Sequence, residues 1–176
     1  MKRFLASLFL VFTVTLAACG TEPARQNASN VVTPPKFTVG VLVSPDDATV
    51  TKTLVVKDLD ALTAYVALKD TSVEMETLTS SFGTAICSIG GVGRPADNCF
   101  GSVTDPTWAF FVRNSDGTWS YSLAAADNFQ LHDGDIVAFI YTTAHPDGTF
   151  DPYGFPNYVT DRTPPPVELA EFTLGN

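Results

Sequence analysis

Three cysteines, two histidines, a scatter of aspartates and an aromatic quartet at strand spacing are the residues of this 176-residue chain that could do chemistry. Nucleophilic hydrolysis would call for Gly-x-Ser-x-Gly, zinc proteolysis for His-Glu-x-x-His, and phosphate handling for a glycine loop closed by Lys-Ser or Lys-Thr. None of these motifs occurs. His132 adjoins a turn and His145 precedes Pro146, and neither has a Ser or Cys nucleophile nearby in sequence. Asp133 and Asp135, with Asp127 close by, offer oxygen ligands for a hard cation, as does Asp147-Gly148-Thr149-Phe150-Asp151. The terminal Glu of a calcium loop is missing from both, so both read as turns. The expectation is a protein that is not an enzyme and holds neither metal nor cofactor.

The address is written more plainly than the activity. Lys2-Arg3 gives a basic start, Phe4 to Ala17 an apolar run, and Leu16-Ala17-Ala18-Cys19-Gly20 a string of small residues around a cysteine. That is the layout of an export signal. The run falls short of the about 20 residues a membrane span needs, and Ser7, Thr13 and Thr15 interrupt it. Leu16 to Cys19 resembles the lipobox of bacterial lipoproteins, which implies a thioether-linked diacylglycerol and usually a third acyl chain on Cys19. Two or more chains hold a protein stably at a bilayer, at ~0.8 kcal/mol per buried methylene. Residues 1–18 are then a lipoprotein signal peptide. The expected location is the cell membrane or outer membrane, lipid-anchored and facing away from the cytoplasm.

Thr21 to Lys36 is polar and contains Pro23, Pro34 and Pro35, so residues 19–36 read as a flexible spacer behind the anchor. The chain beyond the spacer is long enough for one domain with a proper core. Its balance is acidic. The whole chain carries a formal charge of −9, and losing the leader with Lys2 and Arg3 makes it two units more negative. Nucleic acid, which needs clustered Lys and Arg, is excluded as a partner. Cys87 and Cys99 remain once Cys19 carries lipid, and in an exported chain their default state is a disulfide. Closing the glycine-rich loop between them contributes ~3 kcal/mol in the chain-entropy picture. A nucleophilic Cys87 or a metal pair would need a Cys-x-x-Cys spacing or a neighbouring His, and neither is present.

The elements that must position these residues emerge from periodicity. Phe37 to Val43 and Val50 to Lys57 alternate around Ser44-Pro45-Asp46-Asp47, a first hairpin. Leu59, Leu62, Tyr65 or Val66, and Leu68 recur at helical spacing through Asp70, which predicts one amphipathic helix of about three turns capped by Asp58 or Asp60. Strands are predicted over residues 73–78 and 84–89, the latter feeding the cysteine loop. A hairpin is predicted from 107–113 and 118–123 around Asn114-Ser115-Asp116-Gly117. Ile136-Val137-Ala138-Phe139-Ile140-Tyr141 is apolar throughout, the signature of a central strand buried on both faces. His145 to Pro166 reads as a loop or extended wrap, and Val167 to Leu174 as a final edge strand. The fold class is α+β, a mixed sheet with one main helix.

Trp108-Ala109-Phe110-Phe111-Val112, the hairpin after it, Ala124-Ala125-Ala126-Asp127-Asn128, and Leu131-His132-Asp133-Gly134-Asp135-Ile136-Val137-Ala138-Phe139 together carry a resemblance. They are similar to the transcobalamin-like C-terminal domain family. Asp60-Ala61-Leu62, Phe82-Gly83 and the loop from Cys87 through Pro95 to Cys99-Phe100 lie where that family has corresponding features, so the resemblance covers residues 37–142, with 143–176 a Pro-, Gly- and Tyr-rich tail. It implies a β-grasp-like fold. In members that carry cobalamin, the domain covers one face of a corrinoid and a helical partner domain covers the other. No repeated helical pattern in this chain supplies such a partner.

Trp108, Phe110, Trp119 and Tyr121 are the candidate ligand-binding residues. If they share one sheet face they can stack on a flat ligand; as cross-strand pairs they equally serve as core. Arg94, in the cysteine loop, is the candidate contact for an anionic group. The reading of the whole is a lipid-anchored binding module outside the cytoplasm, attached to the membrane through Cys19, that captures a small corrinoid-like ligand or docks on a membrane protein such as a transporter. A structural or protein-interaction lipoprotein with no small-molecule ligand is the alternative.

Overall fold

Near-continuous apolar runs end up between two covering layers, and two runs of this chain meet that condition. In the computed structural model, which describes residues 33–102, 104–150, 152 and 156–172, these runs are β1 (Lys36–Ser44) and β10 (Ile136–Thr142). They lie side by side in parallel at the centre of a five-stranded sheet, with Val41 opposite Val137 and Val43 opposite Phe139. β2 (Thr51–Asp58) flanks β1 in antiparallel fashion. On the other side come β7 (Thr107–Arg113) and β8 (Trp119–Tyr121), which gives the order β2-β1-β10-β7-β8. The fold is α+β, mostly strand, with one main helix and a mixed sheet. The signal peptide, Cys19 and residues 19–32 of the spacer lie outside the described residues.

One face of the sheet presents Val39, Val41, Val137, Phe139 and Phe110. Against it sits α1 (Ala64–Asp70), which buries Ala64, Ala67 and Leu68. Each such side chain, fully buried, contributes roughly 1.5–3 kcal/mol when it is of Val, Leu or Phe size. The helix differs from expectation: it has seven residues, and Thr63 is its cap, accepting a hydrogen bond from the Val66 amide at 3.3 Å. Asp58 and Asp60 do not cap it. Leu62 and Thr63 form β3, a two-residue ladder with β9 (Gln130–Leu131), so their backbone groups are taken before a helix can begin. Between α1 and β7 a second, smaller sheet forms from β4 (Met75–Ser80), β5 (Gly83–Ile89) and β6 (Val92–Gly93), and the Cys87–Cys99 disulfide closes the loop after it.

The opposite face presents Leu42, Ala109, Phe111, Ile136, Ala138 and Ile140, and the C-terminal part of the chain covers it. β11 (Ala144–Phe150) and β12 (Pro156–Thr160) pair as a hairpin where a loop is expected. Residues 161–172 then cross the sheet as a strap, with Val167 and Phe172 buried in this second core. The expected edge strand over Val167 to Leu174 is not formed within residues 167–172. Leu169–Glu171 makes a single 3-10 turn instead, which brings Val167 and Phe172, five positions apart and on opposite faces of a strand, into the same core. Phe172 lies so close to Gly40 that a Cβ there would stand 2.9 Å from its ring. The folded body therefore extends past residue 142, with residues 156–172 part of it.

Candidate functional site

Two loops and a strand leave a half-open groove of about 340 Å³ at the edge of the helix-side core. The tip of the β4–β5 hairpin is its first wall. Gly83 has φ +114, and a Cβ on it would stand 2.7 Å from both Ala125 Cβ and Asp127 Oδ1, so the hairpin can approach the 124–128 segment only through glycine. Two bonds fix the approach: the Thr84 amide donates to Asp127 Oδ2 at 2.8 Å, and Asn128 Nδ2 donates to the Phe82 carbonyl at 3.3 Å. Burial works against the Asp127 charge, but hydrogen bonds from Thr84 outweigh it and hold the carboxyl below the usual range.

The second wall is set by the disulfide, which carries Phe100 to the groove beside Cys99. Arg94 braces this loop from behind. Its guanidinium meets Asp105 at 2.5 Å, and Asp105 also accepts from the Ser102 amide at 2.7 Å. The floor is β7 together with Phe139. Phe110 stacks on Phe139 at 5.2 Å, and the Trp108 ring rests 5.4 Å from Tyr141 while its Nε1 donates to the Val92 carbonyl at 3.0 Å.

The aromatic quartet is thus divided. Tyr121 pairs with Phe111 and Trp119 with Arg113, which puts Trp119 and Tyr121 on the opposite face from Trp108 and Phe110. A shift of one residue in register exchanges the faces of a whole strand, and the hairpin's turn sets that register. Trp108 and Phe110 form the groove floor, whereas Trp119 packs into the strap-side core. Tyr121 sits edge-on to Phe111 at 5.7 Å and, from the short edge strand, still contributes to the groove's border. Burial first, then Tyr158, pushes its hydroxyl's pKa up. Arg94 is not among the residues that line the groove and is paired with Asp105 instead.

Asp135 and Asp147 serve turns, and Asp133 ties its turn to β1. Asp133 accepts from the Thr38 amide at 2.7 Å, Asp135 from the His132 amide at 2.7 Å, and Asp147 from the Thr149 amide at 2.8 Å. Among the described residues no three His, Cys, Asp or Glu side chains converge.

The residues most open to a ligand are not the ones that strand spacing singles out. Phe82, Leu123 and Phe100 are 88%, 76% and 64% exposed, and all three stand at this groove. Their only signal in sequence is position: Phe82 directly before a turn glycine, Phe100 directly after a cysteine, and Leu123 directly before an alanine run, at the end of the predicted strand that the structure ends at Tyr121. Comparison with protein-family models finds no match, and comparison with curated proteins finds none either. What the groove offers chemically is contact area, aromatic faces and hydroxyl groups, with no acid, base or activated nucleophile among its described lining residues.

Proposed function

We propose that this protein is a lipid-anchored binding module of the cell envelope, held outside the cytoplasm by acylated Cys19, and that the groove between the β4–β5 hairpin and the disulfide loop captures a small ligand. The observation that carries this reading is the concentration of exposed Phe82, Phe100 and Leu123 around one groove whose walls are pinned. Large apolar side chains left in water together mark binding sites, and a concave site with aromatic lining is the usual form. The basic start, apolar run and Leu16-Ala17-Ala18-Cys19 sequence support the anchor. We read the fold as β-grasp-like, supported by a leading hairpin, a helix after it, and the order β2-β1-β10-β7-β8 with β1 and β10 parallel at its centre. A corrinoid-like compound is one ligand to test, on the resemblance of residues 37–142.

Equilibrium titration of corrinoids and a broad small-molecule panel into the mature chain, with intrinsic tryptophan fluorescence as readout, tests this. Saturable binding that Phe82→Ser and Phe100→Ser weaken is expected; silence across the panel overturns the small-ligand reading. Fatty-acid labelling lost in Cys19→Ser tests the anchor. A second reading, an envelope lipoprotein that meets another protein, is favoured by Phe150 and Val159, which are exposed on the β11–β12 hairpin and take no part in the groove. A stoichiometric protein partner recovered by cross-linking through this hairpin, with no small molecule bound, would support it.

A further inference from the structure

The groove is uncharged in a chain that is anything but. The sequence holds nineteen acidic and ten basic residues, yet among the described residues that line the groove there is no Asp, Glu, Lys, Arg or His. Of the charged groups within a few residues of its walls, Asp105 is paired with Arg94, Asp127 accepts from the Thr84 amide, and Asp97 is exposed and not part of the lining. What faces the groove is Trp108 and Phe110 at the floor, Phe82, Phe100 and Leu123 at the mouth, and scattered hydroxyls.

Taking a charge out of water without a partner costs far more than contact with apolar walls returns. A ligand that lays a charged group in this groove would find no counter-ion. The walls are also held at a fixed separation, by the disulfide on one side and by the glycine contact and its two hydrogen bonds on the other. A pinned slot between aromatic side chains suits a flat ring system better than a flexible chain. Resting on the small-ligand reading above, we infer that the groove selects uncharged, planar, largely apolar molecules and rejects their charged analogues of either sign.

Matched fluorescent probes test this directly. N-phenyl-1-naphthylamine is neutral, and 8-anilinonaphthalene-1-sulfonate has the same ring system with a sulfonate. A naphthylamine bearing a trimethylammonium group supplies the cation. Each is titrated into the chain beginning at Gly20, which keeps the whole compact unit that starts at Thr33. The acidic body by itself would repel the anion and attract the cation. Titrations are therefore repeated at ~1 M salt, where the Debye length is about 3 Å and that long-range effect is gone.

The expected result is that the neutral probe binds at least about tenfold more tightly than both charged ones at high salt, a difference of ~1.4 kcal/mol. Phe82→Ser and Phe100→Ser should weaken it several-fold. Val159→Ser, at an exposed apolar site on the β11–β12 hairpin outside the groove, should leave it unchanged. A charged probe binding as tightly as the neutral one through the same phenylalanines would overturn the selectivity while leaving the groove a ligand site. No probe binding in a way that depends on Phe82 or Phe100 would overturn both.

Discussion

The two faces of the central sheet are covered by different means. On the helix side, α1 and the β4–β5 hairpin supply regular elements with periodic apolar faces, and their cover stops short, leaving a groove floored by Trp108 and Phe110. On the other side an irregular strap does the covering. Its Val167 and Phe172 are buried against the sheet, and charged side chains fasten it. Arg113 grips Glu168 with two bonds of 3.1 and 2.5 Å, and Lys52 meets Glu171 at 3.0 Å. At its entrance Arg162 donates to the Tyr141 carbonyl and the Ser44 hydroxyl, both at 2.7 Å, and pairs with Asp47 at 2.8 Å. Thr142 donates to Asp161 alongside. The lesson is a division of labour: the strap side is closed and contributes stability, and the side with the regular elements is left open and presents a surface.

That contrast breaks most severely if the strap is removed. Ending the chain at Arg162 exposes Leu42, Phe111 and Ile140 at once, and cooperative urea unfolding should be lost. Phe172→Ala alone should cost ~3–5 kcal/mol, the range for a buried phenylalanine, in urea melts followed by circular dichroism. Removing both cysteines as Cys87→Ala and Cys99→Ala should cost ~3 kcal/mol and release the Phe100 wall, so ligand affinity falls together with stability.

Acid should act on the fastenings of both sides. Thr142 holds Asp161 below its usual range, Arg113 does the same for Glu168, and Thr84 for Asp127 against the effect of burial. Carboxyls depressed in the folded state stabilise it above their unfolded values, and that contribution is lost as pH falls through the folded ones. Stability should therefore stay level from these groups at neutral pH and decline below about pH 4, read as a falling thermal midpoint. The smallest effects belong to open positions. Lys52→Ala, which loses a partly exposed surface pair, should change stability by under ~0.5 kcal/mol, and Phe82→Ser should be equally mild while still lowering ligand affinity.

Where a covering element is periodic, it is legible in the sequence. The continuous apolar run from Ile136 to Tyr141 marks a central strand, and alternation around Asn114-Ser115-Asp116-Gly117 marks the β7–β8 hairpin. Long-range pairing is not legible. Whether Leu62 sits in a helix or opposite Leu131 depends on a partner nearly seventy positions away, and local spacing carries no trace of it. The strap is opaque for the same reason: residues 167–174 alternate like a strand, but a 3-10 turn at Leu169–Glu171 brings Val167 and Phe172 to one core, with Glu168 and Glu171 paired to distant Arg113 and Lys52. At the groove, strand spacing picks out Trp108 and Phe110 and misses the open phenylalanines, because apolar residues in loops carry no periodicity to separate surface from core.

The claim that function resides on the open side is tested most directly by amide chemical-shift mapping of N-phenyl-1-naphthylamine on the isotope-labelled chain from Gly20. Shifts confined to residues 80–86, 99–100, 107–110, 121–126 and 139, with the strap over residues 162–172 silent, are the predicted result. Shifts centred on the strap, or none in the groove at saturating probe, would contradict it.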